Sequence, residues 1–321
     1  MEVANTLPEN KQRTKALLIA NPTAGSYTQH IAIVEDTLDY LRQHGWQIEL
    51  ELTRGPGDGR RIGQEAVKQH LDAVIVLGGD GTLNEVIQEL AGSETALGVL
   101  PAGTVNVWAR EMLIPINNYE AAREILVNGQ MRRVDLGKVE ERYFLLMATI
   151  GFDAEVTRIV ERHKHLGILD YILKGTWLGL GYPNFTAVLQ TGSKARRVRA
   201  FQIIFGNTQL YAGAIKFTWR ARCDDGLLDV CIVSNQNILG RLGVLADFLL
   251  GRAHRTQWVQ YYETASEIKV HTSPAVAIQV DGDPAGYTAK KGFPPTCFTI
   301  VPKALKVIVP AQAPEGIFAS S

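Results

Sequence analysis

Cysteine is scarce in this sequence, and no two cysteines are paired in a motif. Cys223, Cys231 and Cys297 form no CxxC pair, which argues against a structural zinc site or a disulfide framework and fits a reducing compartment. The N-terminal stretch MEVANTLPENKQRTK lacks the apolar segment of a signal peptide. No apolar run reaches the roughly 18 residues of a membrane-spanning helix, so any contact with a membrane is expected at its surface.

An excess of charge of one sign is also absent, because 33 Lys and Arg residues balance 33 Asp and Glu residues. Proteins that bind nucleic acid usually have a basic excess, so we expect no nucleic-acid partner. Apolar residues make up 46% of the 321 residues and charged residues 21%, which is ordinary for a globular protein and excludes a disordered chain. At about 150 residues per domain, this length predicts about two domains.

Short apolar runs alternate with helical stretches from Lys15 to about Asp135. The pattern predicts strands at 16–20, 46–53, 73–77 and 97–100, and helices at 30–44, 61–70 and 82–91. The third run, AVIVL, is apolar and largely β-branched, which is typical of a strand buried on both faces. We therefore expect a first domain, residues 12–135, with a parallel sheet covered by helices on both faces.

The pattern changes after Asp135, where strand-like runs follow one another through short connections. Strands are predicted at 142–150, 185–190, 197–205, 227–233, 256–262, 268–271 and 276–280, and helices at 154–163, 168–178 and 238–250. We expect a second domain, residues 136–302, that is β-rich and mainly antiparallel. The predicted fold class is therefore a parallel α/β domain followed by a β-rich domain.

The strongest local signal is the glycine-rich loop between the AVIVL strand and the next helix, Gly78-Gly79-Asp80-Gly81-Thr82. Glycines let the backbone approach a ligand, and successive N–H groups before a helix attract phosphate. We expect Thr82 and Glu85 to form a capping box, and Asp80 to bind Mg²⁺ or a hydrogen-bond donor. The loop matches neither the P-loop nor the GxGxxG pattern. A turn that only joins strand to helix stays open as an alternative.

Three further loops follow the other predicted strands of this sheet. They are NPTAG (21–25), TRGPGD (53–58) and PAGTVN (101–106). Each supplies small residues and a hydroxyl or amide at the carboxyl end of a strand, which is where open α/β sheets bind ligands. Each alone is typical of an ordinary turn, but together they favour one binding site at this edge.

Motifs extend in order over nearly the whole chain. They are IANPTAG (19–25), GGDGTLNEV (78–86), LPAGTVN (100–106), VDLG (134–137), IGFDAEV (150–156), GN..LYAGA (206–214), DDGLLDV (224–230) and QVDGDP (279–284). This set resembles the diacylglycerol kinase catalytic-domain family, which includes sphingosine kinases and bacterial lipid kinases. The GGDGT loop alone is less specific, because NAD kinases and phosphofructokinases have similar loops.

The resemblance implies phosphoryl transfer from ATP to a lipid hydroxyl, with Mg²⁺ in the active site. It implies a nucleotide-binding domain like those of phosphofructokinases and NAD kinases, to which the C-terminal segment 303–315 returns. The implied nucleotide-binding set comprises Asn21, Thr53, Gly78, Gly79, Asp80, Gly81, Thr82, Glu85, Thr104 and Asn106. Asp80 and Asp135 are then the candidates for binding Mg²⁺, directly or through water.

Asp281, the aspartate of the family's DGE motif, is by the same resemblance the candidate general base. An aliphatic hydroxyl is a poor nucleophile, and a carboxylate can accept its proton during phosphoryl transfer. A structural metal site is implied at Asp225 and the Leu227 carbonyl, where DDG also favours a simple tight turn.

Two positions depart from the family pattern. Val107 replaces the aspartate of GTxND, and Asp283 replaces the glutamate of DGE and keeps a carboxylate for a supporting role.

Apolar segments with aromatic or basic neighbours occur at 168–182 and 238–250. Docking on a bilayer surface and packing on the second domain's sheet both stay open for them. The basic run at 194–199 similarly fits anionic headgroups or a protected edge strand.

The leading hypothesis is an ATP- and Mg²⁺-dependent lipid kinase, cytoplasmic and peripheral at the inner face of the membrane, with a homodimer left open. The alternatives are a soluble-metabolite kinase of the NAD kinase type and a nucleotide- or lipid-binding protein without catalysis.

Overall fold

Parallel strands form one end of the larger of the two main sheets. The computed structural model describes residues 14–21, 27–161, 181–234, 237–312 and 314–319. The first strands are β1 (Lys15–Ala20), β2 (Gln47–Leu52), β3 (Ala73–Gly78) and β4 (Ala96–Pro101), which pair in parallel in the order β2-β1-β3-β4. The helices of this half are α1 (Tyr27–Gln43), α2 (Asp58–Lys68), α3 (Asp80–Leu90), α4 (Val107–Glu111) and α5 (Tyr119–Asn128).

Strand β3 lies inside this parallel half and is buried along its whole length. Its apolar, β-branched sequence suits burial on both faces. Because the paired strands run in one direction, their carboxyl ends meet at one edge of the sheet. Helix α3 begins there after β3, and α4 follows β4 through residues 102–106. The fold therefore brings the glycine loop and the LPAGTVN loop to neighbouring positions.

A long strand, β18 (Thr296–Val309), connects the parallel half to the second domain. Its end pairs in parallel with β4 through Val307 and Leu97, and its beginning pairs antiparallel with β15 (Ile268–Ser273). The sheet continues through β8 (Phe185–Thr191) to the edge strand β9 (Lys194–Ala200). Strand β5 (Gln130–Val139) pairs with β18 and with β6 (Arg142–Phe144). Residues of one strand thus belong to both halves of the molecule.

The second sheet is antiparallel throughout. Its order is β14 (Val259–Thr264), β13 (Leu228–Val233), β10 (Gln202–Gly206), β7 (Met147–Gly151), β16 (Ala277–Val280) and β17 (Asp283–Tyr287). The other described elements are α6 (Phe152–Glu161), α7 (Ile238–Leu249), a 3₁₀ turn (Ala253–Arg255) and the hairpin of β11 (Leu210–Tyr211) and β12 (Ile215–Lys216). The predicted fold class, a parallel α/β domain followed by a β-rich and mainly antiparallel domain, is confirmed.

Two predicted strands are wrong in their extent. The predicted strand 197–205 is two strands, β9 and β10, which separate at Phe201 and enter different sheets. The predicted strand 142–150 is likewise divided into β6 and β7. In both cases the apolar pattern continues through the bend, because residues on either side of it are buried in one cluster between the sheets. The predicted helix 168–178 lies outside the described residues.

The basic run at 194–199 lies on β9, whose residues are mostly exposed at the edge of the larger sheet. Charged side chains at an edge discourage pairing with another chain, which is one of the two interpretations of this run. Among the helices that the structure describes, none has the length and apolarity that a membrane-spanning segment requires.

Candidate active site

The glycine loop and the LPAGTVN loop are in direct backbone contact. The Ala102 N–H donates to the Gly78 carbonyl over 2.9 Å. A Cβ atom at Gly103 would lie 2.5 Å from the Gly79 Cα, closer than real Cβ atoms come to a neighbour. Within the glycine loop, the Thr82 Oγ1 would lie 3.2 Å from a Cβ at Gly78. The absence of side chains at Gly79 and Gly103 therefore allows two strand ends to meet.

Asp80, the first residue of α3, joins the same two loops. Its Oδ1 accepts the N–H of Val107 over 2.9 Å. Burial raises the pKa of Asp80, and the N–H groups of Val107, Trp108 and Asn106 act against that rise. Val107 stands where the family pattern has an aspartate, so that carboxylate is missing here. The backbone N–H of Val107 still holds Asp80.

Asn106 shapes the LPAGTVN loop through its side chain. Its Oδ1 accepts the Gly103 N–H over 2.9 Å, and its Nδ2 donates to the Gly103 carbonyl over 2.7 Å. Asn106 is buried and has a left-handed φ of 53°, which asparagine adopts more readily than most residues. Thr104 lies between these residues and is exposed. Of these two nucleotide-binding candidates, Asn106 thus fixes the loop and Thr104 is open to a ligand.

The predicted capping box of α3 is wrong. The helix begins at Asp80 with Gly79 as its N-cap, and no side chain caps it. Glu85 instead accepts the N–H groups of Gly57 and Gly59 over 2.8 and 2.9 Å, at the N-terminus of α2. The spacing of Thr82 and Glu85 fits a capping box, but α3 begins two residues before Thr82, so Thr82 lies inside the helix. Glu85 therefore positions the TRGPGD loop, and its contact with a nucleotide stays a prediction.

Asn21 and Thr53 lie at the same edge of the sheet. The Asn21 N–H donates to the Leu77 carbonyl over 3.2 Å, and the Thr53 N–H donates to the Ala20 carbonyl over 3.0 Å. Residues 22–26, which include most of the NPTAG loop, lie outside the described residues. The described members of the nucleotide-binding set thus share one edge, and binding of a nucleotide there stays a prediction.

The backbone between β6 and β7 anchors the Asp281 carboxylate. Its Oδ2 accepts the Leu145 N–H over 2.7 Å, and its Oδ1 accepts those of Leu146 and Met147 over 3.0 and 2.9 Å. Burial raises the pKa of Asp281 to about 7, although these N–H groups lower it, and the charge of Asp80 adds to the rise. Asp281 therefore lies within electrostatic reach of Asp80, with a pKa suited to proton exchange near neutral pH.

Helix α3 also holds the turn Asp281-Gly282-Asp283, called the DGD turn below. Asn84, one helical turn after Asp80, donates from Nδ2 to the Asp283 Oδ2 over 3.2 Å. Arg142 of β6 pairs with the same oxygen at 2.8 Å. Sequence reasoning missed both partners. The i, i+4 spacing of Asp80 and Asn84 within GGDGTLNEV is a signal for Asn84, whereas Arg142 lies in no motif.

Gln279 holds the DGD turn from inside the second sheet. This buried side chain accepts the Gly282 N–H at Oε1 over 2.7 Å and donates from Nε2 to the Asp153 Oδ2 over 3.1 Å. Asp153 also accepts hydrogen bonds from the Thr149 and Tyr211 hydroxyls. A buried network with paired polar groups is rigid. It connects the turn to α6 and to the β11–β12 hairpin, and sequence reasoning did not identify it.

Asp135 is buried where β5, β18 and the DDG segment meet. Its Oδ1 accepts the Lys303 N–H over 2.7 Å, and its Oδ2 accepts the Gly226 N–H over 2.6 Å. Burial raises the pKa of Asp135, these two N–H groups lower it, and the charge of Asp224 adds to the rise. Each oxygen accepts one backbone N–H and keeps a second lone pair, so the contacts show a structural role, and the role of Asp135 at the active-site Mg²⁺, directly or through water, stays a prediction.

Replacing Asp135 by asparagine is expected to lower the free energy of unfolding by about 1–3 kcal/mol, because the buried amide leaves one of the two partly buried N–H groups unpaired. Urea denaturation followed by circular dichroism measures this. Asp72→Asn is the control, since Asp72 accepts the Lys15 N–H at an exposed site. Unchanged stability together with a higher Mg²⁺ requirement in Asp135→Asn would contradict the structural role and support the role of Asp135 at Mg²⁺.

The DDG segment forms a tight turn. The Asp225 Oδ1 accepts the Leu227 N–H over 2.9 Å, and Gly226 has a φ of 73°, which favours glycine. This geometry agrees with the tight-turn alternative, and a structural metal at Asp225 and the Leu227 carbonyl stays a prediction.

The fit of Mg²⁺ at the active site depends on Asp80. Among the residues that the structure describes, no group of three or more His, Cys, Asp or Glu side chains could enclose a metal ion. Mg²⁺ is, however, usually held by one or two carboxylates together with substrate phosphates and water. Asp80, beside a phosphate-type loop, fits that mode of binding.

An open cleft of about 810 Å³ lies beside the DGD turn, between the two domains. Asn84 and Glu85 of α3 line one side, and Arg142 of β6 and Tyr287 of β17 line the other. Asn84 and Arg142, which line the cleft, both contact Asp283 and so connect the cleft to the turn.

Two family domains match this chain. Residues 15–139 match the Diacylglycerol kinase catalytic domain, and residues 147–309 match the YegS C-terminal NAD kinase beta sandwich-like domain. The chain is 28% identical to a diacylglycerol kinase of Bacillus subtilis, over 94% of this chain and 99% of that protein. It is 30% identical to a diacylglycerol kinase of Staphylococcus saprophyticus, over 85% of this chain and 90% of that protein.

Further similarities agree with these matches. A YegS-like lipid kinase of Chromohalobacter salexigens is 31% identical, over 78% of this chain and 82% of that protein. The crystal structure of a diacylglycerol kinase of Bacillus anthracis str. Sterne has a TM-score of 0.76 and 25% identity, and the match covers 94% of this chain and 98% of that one. The ordered motifs, the fold and these relatives agree, and the chain belongs to the diacylglycerol kinase catalytic-domain family of lipid kinases.

Proposed function

We propose that this protein is an ATP- and Mg²⁺-dependent lipid kinase that transfers the γ-phosphate of ATP to a hydroxyl of diacylglycerol or a related lipid. The observation that carries the proposal is the contact between the domains at α3. Asp80 starts this helix beside the glycine loop, and Asn84 binds the DGD turn, which contains Asp281. A phosphate-type loop and a carboxylate of the other domain thus come together, as transfer between two bound substrates requires.

The first domain provides the nucleotide site in this proposal. The N–H groups of the glycine loop and of the first turn of α3 attract phosphate oxygens. Bound Mg²⁺ neutralises phosphate charge during transfer, and Asp80 is the residue that would hold it. The Val107 N–H fixes the Asp80 Oδ1, so the position of the carboxylate is set before the nucleotide binds.

The second domain provides the general base, Asp281. Its Oδ2 accepts a single backbone N–H, so a lone pair remains for the proton of the acceptor hydroxyl. Backbone donors hold this carboxylate, which reduces the reorganisation needed during the reaction.

The acceptor reaches Asp281 from the cleft beside the DGD turn in this proposal. Diacylglycerol as the acceptor is supported by relatives that are named diacylglycerol kinases, while the YegS-like relative supports a wider range of lipids. The enzyme would act at the cytoplasmic face of the membrane, where its acceptor lies.

The experiment that tests the reaction class uses γ-labelled ATP, Mg²⁺ and a total lipid extract, with dioctanoylglycerol as a defined acceptor in parallel. A labelled lipid after organic extraction and chromatography is the expected result. Transfer of label to NAD instead, with none to lipid, would show a soluble-metabolite kinase. ATP binding without transfer to any acceptor would show a protein without catalysis.

Replacing Gln279 by leucine is expected to lower kcat by about 10-fold, because a small displacement of a catalytic group has a large effect on rate. The substitution leaves the Gly282 N–H without its protein acceptor, so the DGD turn shifts. The KM for ATP should change little, since Gln279 lies in the second domain.

Gln202→Leu is the matched control for Gln279→Leu. Gln202 is another buried glutamine of the second sheet, and its Nε2 has no hydrogen-bond partner among the described residues. Its replacement should preserve kcat. Equal rates for the wild type and Gln279→Leu would remove the positioning role.

A further inference from the structure

Within the part of the chain that the structure describes, helix α7 packs on the second domain by one face. Val244 and Phe248 are 5% and 4% exposed, and Phe248 packs edge-on against Phe217. The opposite side carries the leucine face, whose members are exposed by 79% (Leu239), 50% (Leu242), 42% (Leu245) and 60% (Leu249), together with Leu250 at 61% just beyond the helix. The structure thus shows packing for one face of this segment and leaves a second apolar face at the surface.

Two arginines lie beside the leucine face. Arg252 and Arg255 follow the helix and are exposed. Asp247 is the acidic residue of α7, and its Oδ1 lies 3.6 Å from the Arg252 Nη2. Arg241 is directed inward, since it donates to the Tyr182 carbonyl and lies over the Phe201 ring. The outer surface of this segment is therefore apolar with a basic end, in a chain whose total charge is balanced.

The element that carries the leucine face is connected to the candidate active site. Helix α7 packs on β12. In the same hairpin, the Tyr211 hydroxyl donates to Asp153, which belongs to the network that holds the DGD turn. At the hairpin turn, a Cβ at Gly213 would lie 2.8 Å from the Arg110 side chain of α4. The β11–β12 hairpin thus links helix α7 to both domains of the site.

We propose that the leucine face of α7 inserts into the surface of a bilayer with anionic headgroups, with Arg252 and Arg255 at the level of the headgroups. Exposed leucines beside cations are the chemistry of surface-docking helices. The choice of a bilayer rests on the proposed function, because a lipid acceptor lies in one. A second copy of this chain that buries the leucines is an alternative outcome of the test.

The test is sedimentation with vesicles of phosphatidylglycerol and phosphatidylcholine in equal parts, without ATP. The double variant Leu242→Gln with Leu249→Gln should bind at least about 10-fold more weakly than the wild type, because both side chains leave the apolar layer. Arg252→Gln and Arg255→Gln should each weaken binding by about 5-fold. These effects of the arginines should disappear with vesicles of phosphatidylcholine alone.

The matched control is the double variant Ile31→Gln with Leu50→Gln, which removes exposed apolar side chains from the first domain. It should bind vesicles like the wild type. Equal binding by the α7 double variant, or no binding by the wild type, would overturn the proposal. A halving of the molar mass of the wild type on Leu242→Gln with Leu249→Gln, measured by light scattering, would instead identify the face as an interface between copies.

A second measurement separates this inference from the proposed function. Phosphorylation of dispersed dioctanoylglycerol does not require docking, so the α7 double variant should keep the wild-type rate with it and lose at least about 10-fold in rate with vesicle-borne diacylglycerol. If the wild type binds vesicles but phosphorylates neither acceptor, the proposed function fails and the docking surface stands. If the variant loses both activities equally, the docking role is overturned.

Discussion

Replacing Asp281 by asparagine is expected to lower kcat for lipid phosphorylation by about 10²- to 10⁴-fold, the range for loss of a general base. The amide cannot accept the hydroxyl proton. Its oxygen can still accept the Leu146 and Met147 N–H groups, while the Leu145 N–H loses its acceptor, and asparagine tolerates the left-handed φ of 47° at this position. ATP binding, measured by calorimetry, should therefore persist while transfer from γ-labelled ATP is lost.

The pH profile gives an independent check of this role. Burial raises the pKa of Asp281 to about 7, so the base is protonated and inactive below that pH. In the wild type, kcat/KM should therefore rise with pH and level off above about 7, and the residual activity of Asp281→Asn should lack this rise.

Asp283→Asn is the comparison that decides which carboxylate is the base. Asp283 is held by Asn84 and Arg142, and we expect its replacement to cost about 10-fold or less, as for displacement of a supporting group. If Asp283→Asn abolishes transfer and Asp281→Asn does not, the base is Asp283. The role assigned to Asp281 would then be structural, through the N–H groups of residues 145–147.

The parallel half of the fold was predictable because its signals are local. A continuous β-branched run such as AVIVL specifies a buried strand, and the helix that follows it begins at the glycine loop. The loops after successive strands meet at one edge because parallel strands require it. The same locality explains the errors at 142–150 and 197–205, since an apolar pattern does not show where a strand leaves one sheet and enters another.

The contacts that join the two domains were not predictable from local pattern. Asn84 and Asp283 are 199 positions apart in sequence, and Asp281 meets Leu145 across 136 positions. Motif resemblance identified the carboxylates as candidates but not their partners. It also assigned Asp135 to Mg²⁺, which stays a prediction, but gave no sign that this buried carboxylate binds backbone N–H groups on two other segments. The partners of these carboxylates come from segments far apart in sequence, and the spacing of residues within a motif does not indicate which segments meet.

Replacing Gly103 by alanine is expected to lower kcat/KM for ATP by about 10²-fold, the effect of displacing a binding loop by about 1 Å. The new Cβ would lie 2.5 Å from the Gly79 Cα and 2.8 Å from the Asn106 Oδ1. A backbone atom cannot move aside as the end of a flexible side chain does, so the two loops must separate. Their separation also breaks the alignment of Asp80 with the Val107 N–H.

A graded series of glycine variants tests this steric argument. At Gly79 the new Cβ would lie 3.1 Å from the Gly103 Cα, and at Gly81 no heavy atom lies within 4 Å. Thermal unfolding should therefore be affected most in Gly103→Ala, less in Gly79→Ala and least in Gly81→Ala. Loss of ATP binding without loss of stability in Gly81→Ala would mean that its Cβ meets the phosphates. Equal stability in all of these variants would show that the loops separate without cost, and that their backbone contact does not organise the site.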